Sequence, residues 1–269
     1  MSRTSRTFER LREERRCGLF PFLVAGFPDV ATSHALAEAA LDAGADGFEI
    51  GVPFSDPLAD GATHQRIYAR ALAGGATLDT ALDLARTIRR RSPDTPVALM
   101  SYYNPLRQRG DVRLAAQLAE IEVDAAIVPD LPPEEADEFR SALLAHGLGL
   151  VPLLAPTSLE ARIRAVAALD PLWIYCVALV GVTGARQNLS TDLAAFLDRV
   201  RAATSAPLVV GFGISQPDHV QRVARLGAAG AIVGSALSDL VERSDDPVTA
   251  VRGYLGEMKL AGASGAVAR

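Results

Sequence analysis

Apolar positions come in short continuous runs, each followed by a longer stretch in which apolar residues recur at helical spacing. The runs predict strands over Leu19–Ala25, Asp46–Ile50, Val97–Ser101, Asp124–Val128, Leu150–Leu154, Leu172–Val177, Leu208–Gly211 and Ala231–Val233. The amphipathic stretches predict helices over Ala31–Ala43, Thr63–Ala73, Leu78–Arg91, Val112–Ile121 and Glu134–Ala145. Further helices are predicted from Ser158, over Asp192–Ala203 and Gln216–Leu226, and from Ala236 and Pro247. Strands that stay Val/Ile/Leu-rich, rather than alternating with polar residues, belong to a parallel sheet covered on both faces. Eight such units predict an α/β chain of the (β/α)8 TIM-barrel class. A doubly wound open sheet is the alternative, but no G-x-G-x-x-G follows the first strand to support it. LDAGADGFEIG (41–51) and ARLGAAGAIVGS (224–235) echo each other weakly, each a helix, a glycine stop and a strand.

Residues 1–17 predict one additional helix, with Phe8 and Leu11 turned inward to close the bottom of the barrel and its arginines solvated. The last residues, 262–269, show no packing pattern and read as a loose tail. A chain of 269 residues with 49% hydrophobic content fits one large domain spanning 1–269. The net charge of −5 argues against a nucleic-acid surface. Two cysteines, Cys17 and Cys176, stand far apart without metal-ligand spacing, as in a reducing compartment. No apolar signal core or membrane span is visible, so a cytoplasmic location is expected.

The chemistry gathers where barrel strands end. Glu49 interrupts the apolar second strand, and Asp60 closes the Gly/Pro-rich loop beyond it. An unpaired carboxylate in a core is unfavourable, and two carboxyl groups near one strand tip suit proton transfer. Tyr102-Tyr103-Asn104 follows strand three, Asp130 strand four, and Thr183-Gly184 lies in the loop after strand six. Gly211-Phe212-Gly213 and Gly234-Ser235 follow strands seven and eight. Together they suit a phosphate held by backbone N–H groups at a helix N-terminus. Competing structural readings exist. Glu49 could pair with a buried base, although no Lys or Arg lies near it in sequence. Asp60 could cap the helix starting near Ala62. Asp130 could shape its turn and cap the helix that follows.

FEIGVPFSDPLADG, YYNP, VPDLPPEE, APTS, GVTGAR, VGFGIS and IVGSAL, in this order and spacing, resemble the α subunit of tryptophan synthase from about Phe20 to about Leu240. The resemblance implies a lyase without metal or organic cofactor that splits indole-3-glycerol phosphate into indole and glyceraldehyde 3-phosphate. By resemblance Glu49 shuttles protons and Asp60 steadies the indole nitrogen. Phe22, Met100, Ile127, Leu153, Tyr175 and Phe212 match the indole-pocket wall. Thr183 matches the residue that closes over the site and bonds the loop-two aspartate. Gly184, Gly213, Gly234 and Ser235 match the phosphate cradle. Asp56, Pro57, Asn104 and Pro132 match the face that docks a pyridoxal-phosphate β subunit.

Three departures from the family pattern stand out. Ala178-Leu179 replaces a Ser-Arg pair frequent before the GVTG loop, Val24 replaces a frequent Thr, and His64 replaces an aliphatic residue beside the indole. The expectation for His64 is a solvated or satisfied side chain. A stand-alone lyase releasing free indole keeps the same chemistry and is the second functional reading. A non-catalytic, phosphate-binding allosteric partner is the third, and the intact Glu49/Asp60 pair speaks against it.

Overall fold

The computed structural model describes residues 1–178, 188–211 and 213–264. One parallel sheet holds β1 (Gly18–Val24), β2 (Phe48–Gly51), β3 (Val97–Met100), β4 (Ala125–Ile127), β5 (Gly149–Val151), β6 (Leu153–Leu154), β7 (Ile174–Val177), β8 (Leu208–Gly211) and β9 (Gly230–Val233). Their spatial order is β5-β4-β3-β2-β1-β9-β8-β7-β6. The two ends of that order are neighbours in the chain, separated only by Pro152. Proline has no N–H to donate. The ladder to β4 therefore ends at Val151, and β6 pairs with β7 through Leu153 and Tyr175. Counted as one bent strand, Gly149–Leu154 closes an eight-stranded barrel. The barrel class read from the sequence is found, with its fifth strand split.

The connecting helices are α1 (Arg3–Glu13), α2 (Val30–Asp42), α3 (Ala62–Ala73), α4 (Leu78–Arg91), α5 (Tyr103–Arg109) and α6 (Asp111–Glu120). They continue with α7 (Asp137–Leu144), α8 (Glu160–Ala167), α9 (Asn188–Ala203), α10 (Pro217–Arg225), α11 (Ser235–Arg243) and α12 (Pro247–Ser264). Local chemistry starts several of them. Asp29 accepts the Thr32 N–H at 2.8 Å ahead of α2, and Thr77 and Thr80 form a reciprocal capping box at α4.

Inside the barrel large rings face glycines. A Cβ on Gly18, Gly47 or Gly230 would strike the Phe20 ring, one on Gly51 the Phe22 ring, and one on Gly211 the Tyr175 side chain. Helix α1 seals the base as expected: Phe8 stacks on Phe20 at 5.8 Å and meets Trp173 edge-on at 5.8 Å. Its basic face is not simply solvated. Arg3 pairs with Asp124 at 2.7 Å and Arg10 with Asp46 at 3.2 Å, while Arg16 just beyond the helix reaches Asp46 at 2.8 Å.

Four further readings change. Tyr103 begins a helix that the apolar pattern did not predict. The carboxylate that caps it is Asp130, which accepts the Tyr103 N–H at 2.8 Å, so Asp130 ties back to the preceding unit instead of capping the helix that follows. The segment after Pro132 starts as a single 3-10 turn, Pro133–Glu135, before α7. The tail is shorter than read: α12 runs to Ser264, with Gly262 buried and its carbonyl accepting the Cys17 N–H at 3.3 Å. A Cβ at Gly262 would press on the Cys17 carbonyl, so only glycine lets the helix lie this close. Both cysteines are buried as free thiols. No helix among the described residues is long and apolar enough to cross a membrane.

Candidate active site

Strand β2 sets the position of Glu49. In the parallel register Phe22, Glu49 and Ala98 stand side by side, so their side chains share one face of the sheet. Gly51, two residues further on, is level with Met100, and Met100 with Ile127. Glu49 is thus not the last strand residue; it lies one layer below the rim. Its exposure is 0%. Among the described residues, neither carboxyl oxygen has a hydrogen-bond partner. The structural reading, an acid paired with a buried base, is removed by that observation. Burial alone pushes its pKa from 4.5 up to about 8, so at neutral pH the group holds its proton.

Asp60 is placed by the loop after β2 and by the start of α3. The N-cap of α3 is Gly61, and no side chain caps it. Asp60 instead turns inward, where it is 7% exposed. The Tyr102 hydroxyl donates to its Oδ2 at 2.6 Å while accepting the Ala59 N–H at 2.9 Å. His64 Nδ1 lies 3.1 Å from Oδ1. The Gln65 side chain donates to the Asp60 carbonyl at 2.9 Å, which pins the loop to the first turn of the helix. Burial, and next the bond to Asp60, raises the Tyr102 hydroxyl above its ordinary pKa, so it remains a donor.

The two carboxyl groups share one neighbourhood. After burial, the fields of Glu49 and Asp60 both act to raise the hydroxyls of Tyr68 and Tyr175. Tyr175, on β7 and level with Leu153 and Val209, is 4% exposed. Phe22, Met100 and Ile127 are buried, and Leu153 is half-buried. Gly213 adopts the left-handed region at φ 78°, and Gly234 directly precedes α11, whose first residue Ser235 is exposed. Thr183, Gly184 and Phe212 lie outside the described residues, as does Leu179 of the departing pair. Of the expected docking residues, Asp56 and Asn104 are exposed, Pro132 is half-buried and Pro57 is buried. Leu58, which the sequence reading passed over, is 90% exposed between them in the loop.

A family model described as "Tryptophan synthase alpha chain" matches residues 8–260. The chain belongs to the tryptophan synthase alpha chain family. The tryptophan synthase alpha chain of Roseiflexus sp. (strain RS-1) is 52% identical over 244 residues, covering 91% of this chain and 93% of the relative. That of Chloroflexus aggregans is 48% identical over 260 residues, covering 96% and 97%. The crystal structure of tryptophan synthase subunit alpha from Legionella pneumophila str. Paris superposes with a TM-score of 0.89 at 35% identity. It covers 97% of this chain and 98% of its own.

Two residues that contact or neighbour Asp60 were given no role by the sequence reading. Tyr102 was noted only by its place after strand three and in the motif YYNP; its hydroxyl is the principal donor to Asp60. Tyr68 sits one turn beyond His64, rings stacked at 6.2 Å, with the field of Asp60 on its hydroxyl. Helical spacing from His64 to Tyr68 was the signal available, since residues four apart share a helix face.

Proposed function

We propose that Glu49 and Asp60 carry out the cleavage of indole-3-glycerol phosphate to indole and D-glyceraldehyde 3-phosphate, in the manner of the α subunit of tryptophan synthase. Protonated Glu49 gives its proton to C3 of the indole ring. The ring becomes an indoleninium cation whose nitrogen is electron-poor, and the Asp60 carboxylate accepts the hydrogen bond from its N–H. The Glu49 carboxylate left behind then takes the proton of the hydroxyl next to the scissile bond. The carbon–carbon bond breaks, its electrons return to the ring, and the hydroxyl carbon becomes the aldehyde. Glu49 ends the cycle protonated, as it began. A fixed charge where charge develops is worth about 3 kcal/mol in the transition state, and Tyr102 with His64 keeps the Asp60 carboxylate in place for it.

The observation that carries this reading is the burial of Glu49 without a hydrogen-bond partner among the described residues. That state is unfavourable for a structural acid and is what a proton donor at neutral pH requires. Phe22, Met100, Ile127, Leu153, Tyr175 and Phe212 wall the indole end, and Gly184, Gly213, Gly234 and Ser235 hold the phosphate. Kinship with tryptophan synthase alpha chains at about half identity supports a docking face for a β subunit rather than a chain that acts alone, with Asp56 and Asn104 exposed on it. The protein works in the cytoplasm, as one (β/α)8 unit over its whole length. Incubating the chain with indole-3-glycerol phosphate, with and without a tryptophan synthase β subunit, tests the assignment. Slow indole release that the partner raises strongly is expected; fast release unaffected by the partner returns the stand-alone reading. No release under either condition leaves only a binding role.

A further inference from the structure

His64 is neither solvated nor fully satisfied. Its side chain is 13% exposed, and Nδ1 is bonded to Asp60. The far nitrogen, Nε2, is buried and has no partner among the described residues. The ring is held from both sides, by Phe22 at 4.9 Å and by Tyr68 at 6.2 Å. A Cβ built on Gly234 would stand 3.2 Å from its Cε1 and 3.5 Å from its Nε2. Helix α3 is fastened to α11 on this side: Thr63 donates to Asp239 at 3.2 Å and Arg66 to Glu242 at 2.7 Å. The imidazole therefore spans the barrel mouth from Asp60 to the Gly234–Ser235 turn.

We propose that His64 is a substrate-positioning residue that grips the phosphoglycerol arm of the substrate through Nε2 while Nδ1 holds Asp60. The proposal rests on the lyase reading above. Asp60 also takes the Tyr102 hydroxyl hydrogen; as a carboxylate it only accepts, which places a hydrogen on Nδ1. A buried polar atom without a partner is unfavourable, so the bound ligand must complete Nε2. The indole end offers a donor N–H and apolar carbons. The phosphoglycerol end offers anionic and hydroxyl oxygens, and it is the end that belongs at the Gly234–Ser235 turn. Nε2 is then the ring atom left to meet those oxygens. Among the described residues, the titratable groups in contact with the ring are Asp60 from the β2 loop and Tyr68 from its own helix. Strand β1 presents Phe22 and the β9–α11 turn presents Gly234, while Asp239 of α11 is engaged by Thr63 and Arg66.

Calorimetric titration of the full chain with sn-glycerol 3-phosphate, and separately with indole, tests this. Each titration is run near neutral pH for wild type, His64→Leu and His64→Gln. The leucine variant should bind glycerol phosphate about tenfold more weakly, the loss of one charge-assisted hydrogen bond, and should lose much less affinity for indole. Glutamine, which keeps a donor, should recover part of the affinity. Equal glycerol phosphate affinity in wild type and His64→Leu, or an equal loss for both ligands, would overturn the role of His64 while leaving cleavage by the wild type standing. A wild type that fails to cleave indole-3-glycerol phosphate removes the lyase reading, and this proposal with it.

Discussion

Replacing Glu49 with glutamine deletes one ionisable group from the barrel and leaves its volume almost unchanged. In the folded chain burial holds that carboxyl at about 8 rather than 4.5. At 1.36 kcal/mol per pH unit, ionising it inside the barrel is about 5 kcal/mol harder than in the unfolded chain. The unfolded chain releases the proton from about pH 4.5 upward, whereas the folded chain keeps it until about 8. Between those values the folded state binds more protons, so wild-type stability declines as pH rises. The decline reaches about 3 kcal/mol by pH 7 and about 5 above pH 8. Water reaching the carboxylate would lower both figures, which makes them ceilings. Every other titrating group is shared by the two proteins, so the difference between them isolates Glu49. Urea unfolding of both at about pH 5, 7 and 9 measures it. Relative to wild type, Glu49→Gln should gain at least about 2 kcal/mol from the lowest to the highest pH. Parallel curves would refute the reasoning, because Glu49 would then titrate alike in both states.

Other outcomes follow from the same geometry. The kcat/KM for indole-3-glycerol phosphate should fall above about pH 8, as the free enzyme loses the Glu49 proton; a profile flat to pH 10 would contradict this. Tyr102→Phe leaves Asp60 Oδ2 and the Ala59 N–H without their partner. It should lower kcat on the order of tenfold and stability by about 1–2 kcal/mol, read from steady-state kinetics and urea midpoints. Gly211→Ala puts a methyl group into the Tyr175 side chain. It should destabilise the barrel by about 1–3 kcal/mol, seen as a lower Tm, and raise KM as the ring is displaced.

The strands were legible because each is a continuous apolar run, and parallel barrel strands are buried on both faces. Glu49 was legible for the complementary reason, a carboxyl where every neighbour is apolar. What escaped depends on contacts between distant segments. Tyr102 meets Asp60 across 42 positions of chain, and nothing local in YYNP reveals which way its hydroxyl points. Asp130 lies before one helix in sequence yet caps another, 27 residues back. The polar character of His64 was visible, but that one nitrogen would be bonded and the other orphaned was not. Gly262 read as tail because glycine and alanine carry no hydrophobic pattern, although smallness is what lets α12 pack on Cys17.

The most direct test of the central claim is single-turnover cleavage of indole-3-glycerol phosphate by wild type and Glu49→Gln, with indole and glycerol phosphate affinities measured on the same preparations. If one buried carboxyl moves both protons, the variant binds both ligands as wild type does and loses turnover by about a thousandfold or more. A variant with intact binding that retains a tenth of the wild-type rate would contradict the account.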